Sequence, residues 1–170
     1  RLDLNNSGTG IVDSAGNAIS GGLIGAAYSI DRVEPSVTSV DVPTHGTYLA
    51  GQNLDFTVHL DEAVYLNTAG GTPCIEVTLD NGTTAYASYL SGSGSNALVF
   101  RLTVANGQLD TNGITLGSGL QLNGATLRDG TGNDANIALN GVGDTSQVRI
   151  DAVVPVVSSV SVPADGSYKA

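Results

Sequence analysis

The sequence predicts an all-β chain, built as a two-sheet Greek-key sandwich and repeated in tandem. Three observations carry this. Apolar and polar residues alternate in short runs, Asn-Gly pairs separate the runs, and the two ends of the chain repeat one another.

In chain order, Ser36 to Val42 comes first. Val37 is apolar, Ser39 is not, and Val40 and Val42 fall on the other face, so an edge strand with a shift of face is expected. Gln52 to Leu60 puts Leu54, Phe56, Val58 and Leu60 on one face. Pro73 to Leu79 offers Ile75, Val77 and Leu79, and Asp80-Asn81-Gly82 turns it back as a hairpin into 83–90. Ser91 to Asn96 links that strand to Ala97–Val104, whose apolar face is Leu98, Phe100, Leu102 and Val104. Five Asn-Gly pairs start at Asn81, Asn106, Asn112, Asn123 and Asn140, and each supplies positive φ cheaply. No stretch of ten residues has helical periodicity with caps. Seven or eight strands in about 115 residues suit two packed sheets. With aromatics at 5%, the core must be mainly Val, Leu, Ile and Ala.

The repeat sets the domain organisation. Ile30–Ala50 and Ile150–Ala170 match at 12 of 21 positions without a gap, at an offset of 120. Upstream, Asp13-Ser14-Ala15-Gly16-Asn17 resembles Asp129-Gly130-Thr131-Gly132-Asn133. A period of this size is a whole domain rather than a solenoid turn. The expected division is 1–31, the end of a preceding unit; 32–152, a complete unit; and 153–170, the first strand of the next. Pro35 and Pro155 fix φ just before a strand and read as short stiff linkers. A chain that opens at Arg1 without a signal peptide is expected to be a fragment or mature piece of a tandem array.

Composition excludes several classes. Sixteen acids against six bases give a net charge of −10, which phosphate backbones repel, so nucleic acid is not an expected partner. No apolar run approaches the ~18 residues of a membrane span, so no membrane insertion is expected. One cysteine, Cys74, makes neither an internal disulfide nor a Cys-rich zinc site. Catalysis finds no support. There is no G-x-S-x-G, H-E-x-x-H or P-loop; His45 aligns with Asp165, and His59 falls on the polar face of its strand. The chain is read as not an enzyme.

The positive chemical signal is calcium. Thirteen of the acids are Asp, which ligates cations from loops, and they gather at expected loop positions: Asp61 and Glu62; Asp110 and Asn112; Asp129 and Asn133; Asp151. Asp13, Asn17 and Asp31 recur as Asp129, Asn133 and Asp151, and a set that recurs in two units points to a role in the unit. The competing reading is that Asp-Gly and Gly-Asn are ordinary turn formers.

The unit resembles the bacterial immunoglobulin-like repeats of giant surface adhesins, including those with RTX-type C-termini. The resemblance rests on the order of several motifs. Gly46 to Leu54 leads into Phe56-Thr57-Val58 and then Leu60 to Val64. Ala87 to Gly94 precedes Leu98-Val99-Phe100, with Leu109 to Ile114, Asp129 to Asn133 and Asp151 to Pro155 after it. It implies an immunoglobulin-like sandwich acting as an extender on the bacterial cell surface, with neighbouring repeats of the same chain as partners and Ca²⁺ stiffening the junctions. Asp31 and Asp151 would then be the junction ligands, helped by Asp61, Glu62 or Asp110. Two alternatives stay open: a filament subunit that self-associates through its incomplete end units, and a glycan-binding module using Tyr65, Tyr86 and Tyr89.

Overall fold

The structure is a computed structural model, in which residues 3–4, 10–18, 23–24, 30–162 and 164–167 are described. The expected flanking units at 1–31 and 153–170 lie partly outside these residues. The chain divides into two compact units, 1–33 and 34–170. In the smaller one, β1 (Asp3–Leu4) pairs antiparallel with β2 (Leu23–Ile24). Val12 bridges Ala18 across a turn that begins at Asp13.

The larger unit holds β3 (Val37–Asp41), β4 (Gly46–Tyr48), β5 (Asn53–Asn67), β6 (Cys74–Thr78), β7 (Thr84–Ser91), β8 (Ser95–Thr103), β9 (Leu109–Asp110), β10 (Thr115–Gln121), β11 (Thr126–Arg128) and β12 (Val148–Asp151). Among the described residues the one helical segment is a 3₁₀ turn, Asp80–Gly82, where the hairpin was expected. One sheet runs β10-β6-β7-β8-β5-β11, with β3 also on β5; the other runs β4-β12-β9. Strand pairs are antiparallel except β4 with β12, where Val148 lies opposite Gly46 and Ile150 opposite Tyr48. The architecture is all-β, with curled sheets around one apolar core as in a β-sandwich.

Alternation builds that core. Leu54, Phe56 and Val58 of β5 and Leu98 and Phe100 of β8 are fully buried, with Phe56 directly opposite Phe100 in the ladder. Ile75 and Val77 extend the same layer, and Ile114, Val148 and Ile150 also pack into the core. Burying one such side chain contributes about 1.5–3 kcal/mol. The expected face shift in the first strand is present. Val37 and Val40 are both buried, and the β3–β5 register slips between Val37 and Ser39.

Four of the acids expected in loops lie in strands. Asp110 ends β9 and Asp151 ends β12, held there by the β9–β12 pairing, while Asp61 and Glu62 lie inside β5, which continues through them to Asn67. Between His59 and Val64 the β5–β8 register shifts, because β5 spends five residues where β8 spends two. Such a bulge accommodates polar residues without ending the strand. Leu60 and Val64 both stay buried, so Glu62 falls on the inward phase between them and is half-buried.

Candidate functional site

Asp is short enough to accept hydrogen bonds from backbone N–H groups two to four residues ahead. At Asp129, Oδ1 accepts the N–H groups of Thr131 (2.8 Å), Gly132 (2.6 Å) and Asn133 (2.8 Å). Oδ2 accepts Asn133 Nδ2 at 2.7 Å. Asp129 is 5% exposed. Burial alone would raise its pKa, but the bonds from Asn133 and Thr131 outweigh this and hold the carboxyl at about 2.

The smaller unit contains the same turn. Asp13 Oδ1 accepts the N–H groups of Ala15 and Asn17, each at 2.9 Å, and Oδ2 accepts Asn17 Nδ2 at 2.9 Å. Asp13 N–H donates to Asn17 O as Asp129 N–H donates to Asn133 O. A second pair repeats as well. Asp31 Oδ1 accepts Val33 N–H at 3.0 Å, and Asp151 Oδ1 accepts Val153 N–H at 3.3 Å. In both turns the Asn amide therefore supports its own Asp by donation.

In the larger unit the remaining predicted ligands fall into two groups. The first lies near the start of β3. Asp61 Oδ1 accepts Ser36 N–H at 2.8 Å and Oδ2 accepts Ser36 Oγ–H at 2.6 Å, which lowers the Asp61 pKa. Beside it, β11 pairs with β5 through Arg128 opposite Tyr65, which brings Asp129 alongside Glu62. A carboxylate oxygen of Glu62 and one of Asp129 lie within 4.8 Å of each other. Two oxygens on one Ca²⁺, each at 2.3–2.6 Å, are at most about 5 Å apart, so this spacing is compatible with a shared ion.

The second group lies where β12 ends. Asp110 sits opposite Ile150 and Leu109 opposite Asp151 in the β9–β12 ladder. Asp110 is 2% exposed and its Oδ1 accepts Gly113 N–H at 2.7 Å. Burial pushes its carboxyl above the ordinary value, and the charge of Asp80 adds to the shift. Asn112 is exposed on the same loop. Asp80 was missed by sequence reasoning because Asp80-Asn81-Gly82 reads completely as a turn. Its Oδ2 in fact accepts Thr111 N–H (2.9 Å) and Oγ–H (2.8 Å), tying the hairpin to the Asp110 loop.

The tyrosines divide. Tyr89 packs edge-on against Phe100 at 5.9 Å between ring centroids, and its hydroxyl accepts Ser93 N–H. Tyr65 and Tyr86 are exposed. Tyr65 borders Gly94 and Gly130, whereas Tyr86 lines a groove with Gln121 and Asn123. Cys74 is buried and free. Comparison with protein families, curated proteins and solved structures finds no match for this chain.

Proposed function

We propose that the chain is a piece of a tandem array of Greek-key immunoglobulin-like domains. It would serve as an extracellular extender in a large repetitive bacterial adhesin of the RTX type, with Ca²⁺ stiffening the junctions between neighbouring repeats. The observation that carries this reading is the double recurrence of local structure. The Asp13–Asn17 turn recurs 116 residues later as Asp129–Asn133, and the Asp31–Val33 bond recurs 120 residues later as Asp151–Val153. A chain that builds the same linker twice is organised around its joints.

The acidic groups suit a joint. One lies where the chain comes into the sandwich and one where it leaves, so successive copies would present carboxylates to each other. Glu62 and Asp129 would hold the ion at the first. Asp110 and Asp151, with Asp80, would serve the next joint. Without a cation these carboxylates repel one another; with it they cross-link two domains.

The test is a calcium titration by calorimetry, with thermal melts and small-angle scattering in calcium and in chelator. For sites of ~10⁻⁴ M, saturation at about 100 times Kd adds about 2.7 kcal/mol. At about 2–4 °C per kcal/mol in a chain of this size, Tm rises by about 5–10 °C. Binding heat with a raised Tm and a narrower size distribution supports the reading. No heat, with melt and scattering unchanged by chelator, overturns it.

A further inference from the structure

Residues 153–162 are in no strand, although they match β3 closely. Val157 and Val160 correspond to Val37 and Val40 at the offset of 120. The β3 valines are 4% and 1% exposed; their counterparts are 84% and 77% exposed. Two segments that agree at six of ten positions, 33–42 and 153–162, thus exist for one position on β5, and an exposed β-prone segment of this kind invites exchange between similar domains.

What distinguishes them is polar. Ser36 gives Asp61 two hydrogen bonds, at 2.8 and 2.6 Å. Asp41 shares a 2.8 Å hydrogen bond with His59 Nε2. Both partners are on β5: Asp61 lies just past Leu60, which pairs with Val37, and His59 lies opposite Ser39. The equivalent positions of 153–162 are Val156 and Ser161; Val156 keeps a backbone N–H but has no hydroxyl for Asp61, and Ser161 has no carboxylate for His59.

We propose that Ser36 and Asp41 are the selectivity residues of the β5 edge. They admit β3 and bar the 153–162 segment of a second copy of this chain from the same position. The apolar register is shared by both segments and supplies attraction without discrimination. Asp61 and His59 supply the discrimination, because a Val beneath Asp61 leaves the carboxylate without its hydroxyl donor and a Ser beside His59 is too short to reach it. In an array of similar repeats, this would keep each domain's first strand in its own sandwich.

The test transfers the two residues rather than removing them, so the sandwich is left intact. In Val156→Ser/Ser161→Asp the 153–162 segment acquires both contacts. Wild type and variant are refolded from urea at high concentration in chelator and sized by light scattering. Chelator keeps the outcome independent of the calcium reading. The expected result is a monomeric wild type and a variant with strand-exchanged dimer, at a dimerisation constant about ten- to a hundredfold higher. Adding Val157→Asp/Val160→Asp to the variant should return it to monomer. The proposal is overturned if the variant stays monomeric, if wild type dimerises equally, or if the four-fold variant remains dimeric.

Discussion

A carboxylate that accepts three successive backbone N–H groups is hard to protonate, and Asp129 is the case here. Its pKa of about 2 lies below the ordinary 3.8 of the unfolded chain. Its stabilisation is therefore complete above about pH 4 and lost as the pH falls through about 2. Asp129→Asn keeps one acceptor oxygen but discards the charge. The variant should be less stable than wild type at pH 7, and the gap should close between about pH 4 and about pH 2 in urea titrations. Asp110 behaves with the opposite sign. Burial, then Asp80, raises its pKa above 3.8, so its charge opposes folding at neutral pH. Asp110→Asn keeps an acceptor for Gly113 N–H and should be more stable than wild type at pH 7 in the absence of calcium. That advantage should disappear below about pH 4, where both states of the wild-type carboxyl are protonated.

At the scale of elements, β5 organises the larger unit, with β3, β8 and β11 all paired to it. Phe56 at its centre is fully buried against β8. Phe56→Ala should cost about 3–5 kcal/mol in denaturant unfolding, read from the midpoint at constant slope. The loop after β9 is equally intolerant for a different reason. Gly113 has φ +103, and a Cβ there would lie 2.5 Å from the Ser146 carbonyl oxygen. Gly113→Ala should lower Tm sharply although it removes no contact. The strands legible in the sequence are those with one buried face: 53–60, 74–78, 84–91 and 95–103 all lie within two residues of the alternating runs. The continuation of β5 was hidden because Asp61 and Glu62 look like a loop, while the pattern of burial shows the alternation running straight through them. β4, β9 and β12 were hidden for another reason. They are two to four residues long and paired with strands about 40 to 100 residues away in sequence, so no local period marks them. In the candidate site, the recurring Asp and Asn residues were legible as residue types. Their division into two groups, and the inclusion of Asp80, depend on the same distant pairings.

For the whole molecule, the net charge of −10 is a source of self-repulsion that any salt relieves. Sodium chloride should therefore raise Tm slightly, and calcium at equal ionic strength should raise it more if it occupies sites. Cys74 offers an independent probe of global opening. It is buried and bonded toward Gln121 and Asn123, so a thiol reagent should label it only as fast as the sandwich unfolds, and at full speed in urea.

The parallel pairing of β4 with β12 has a consequence under load. β4 lies soon after the chain comes into the sandwich, and β12 lies just before it leaves. A tug on the two ends would slide these strands past one another instead of peeling them apart. Their cross-links would then be strained together rather than broken one at a time. A fold tied in this way should yield abruptly and at high tension.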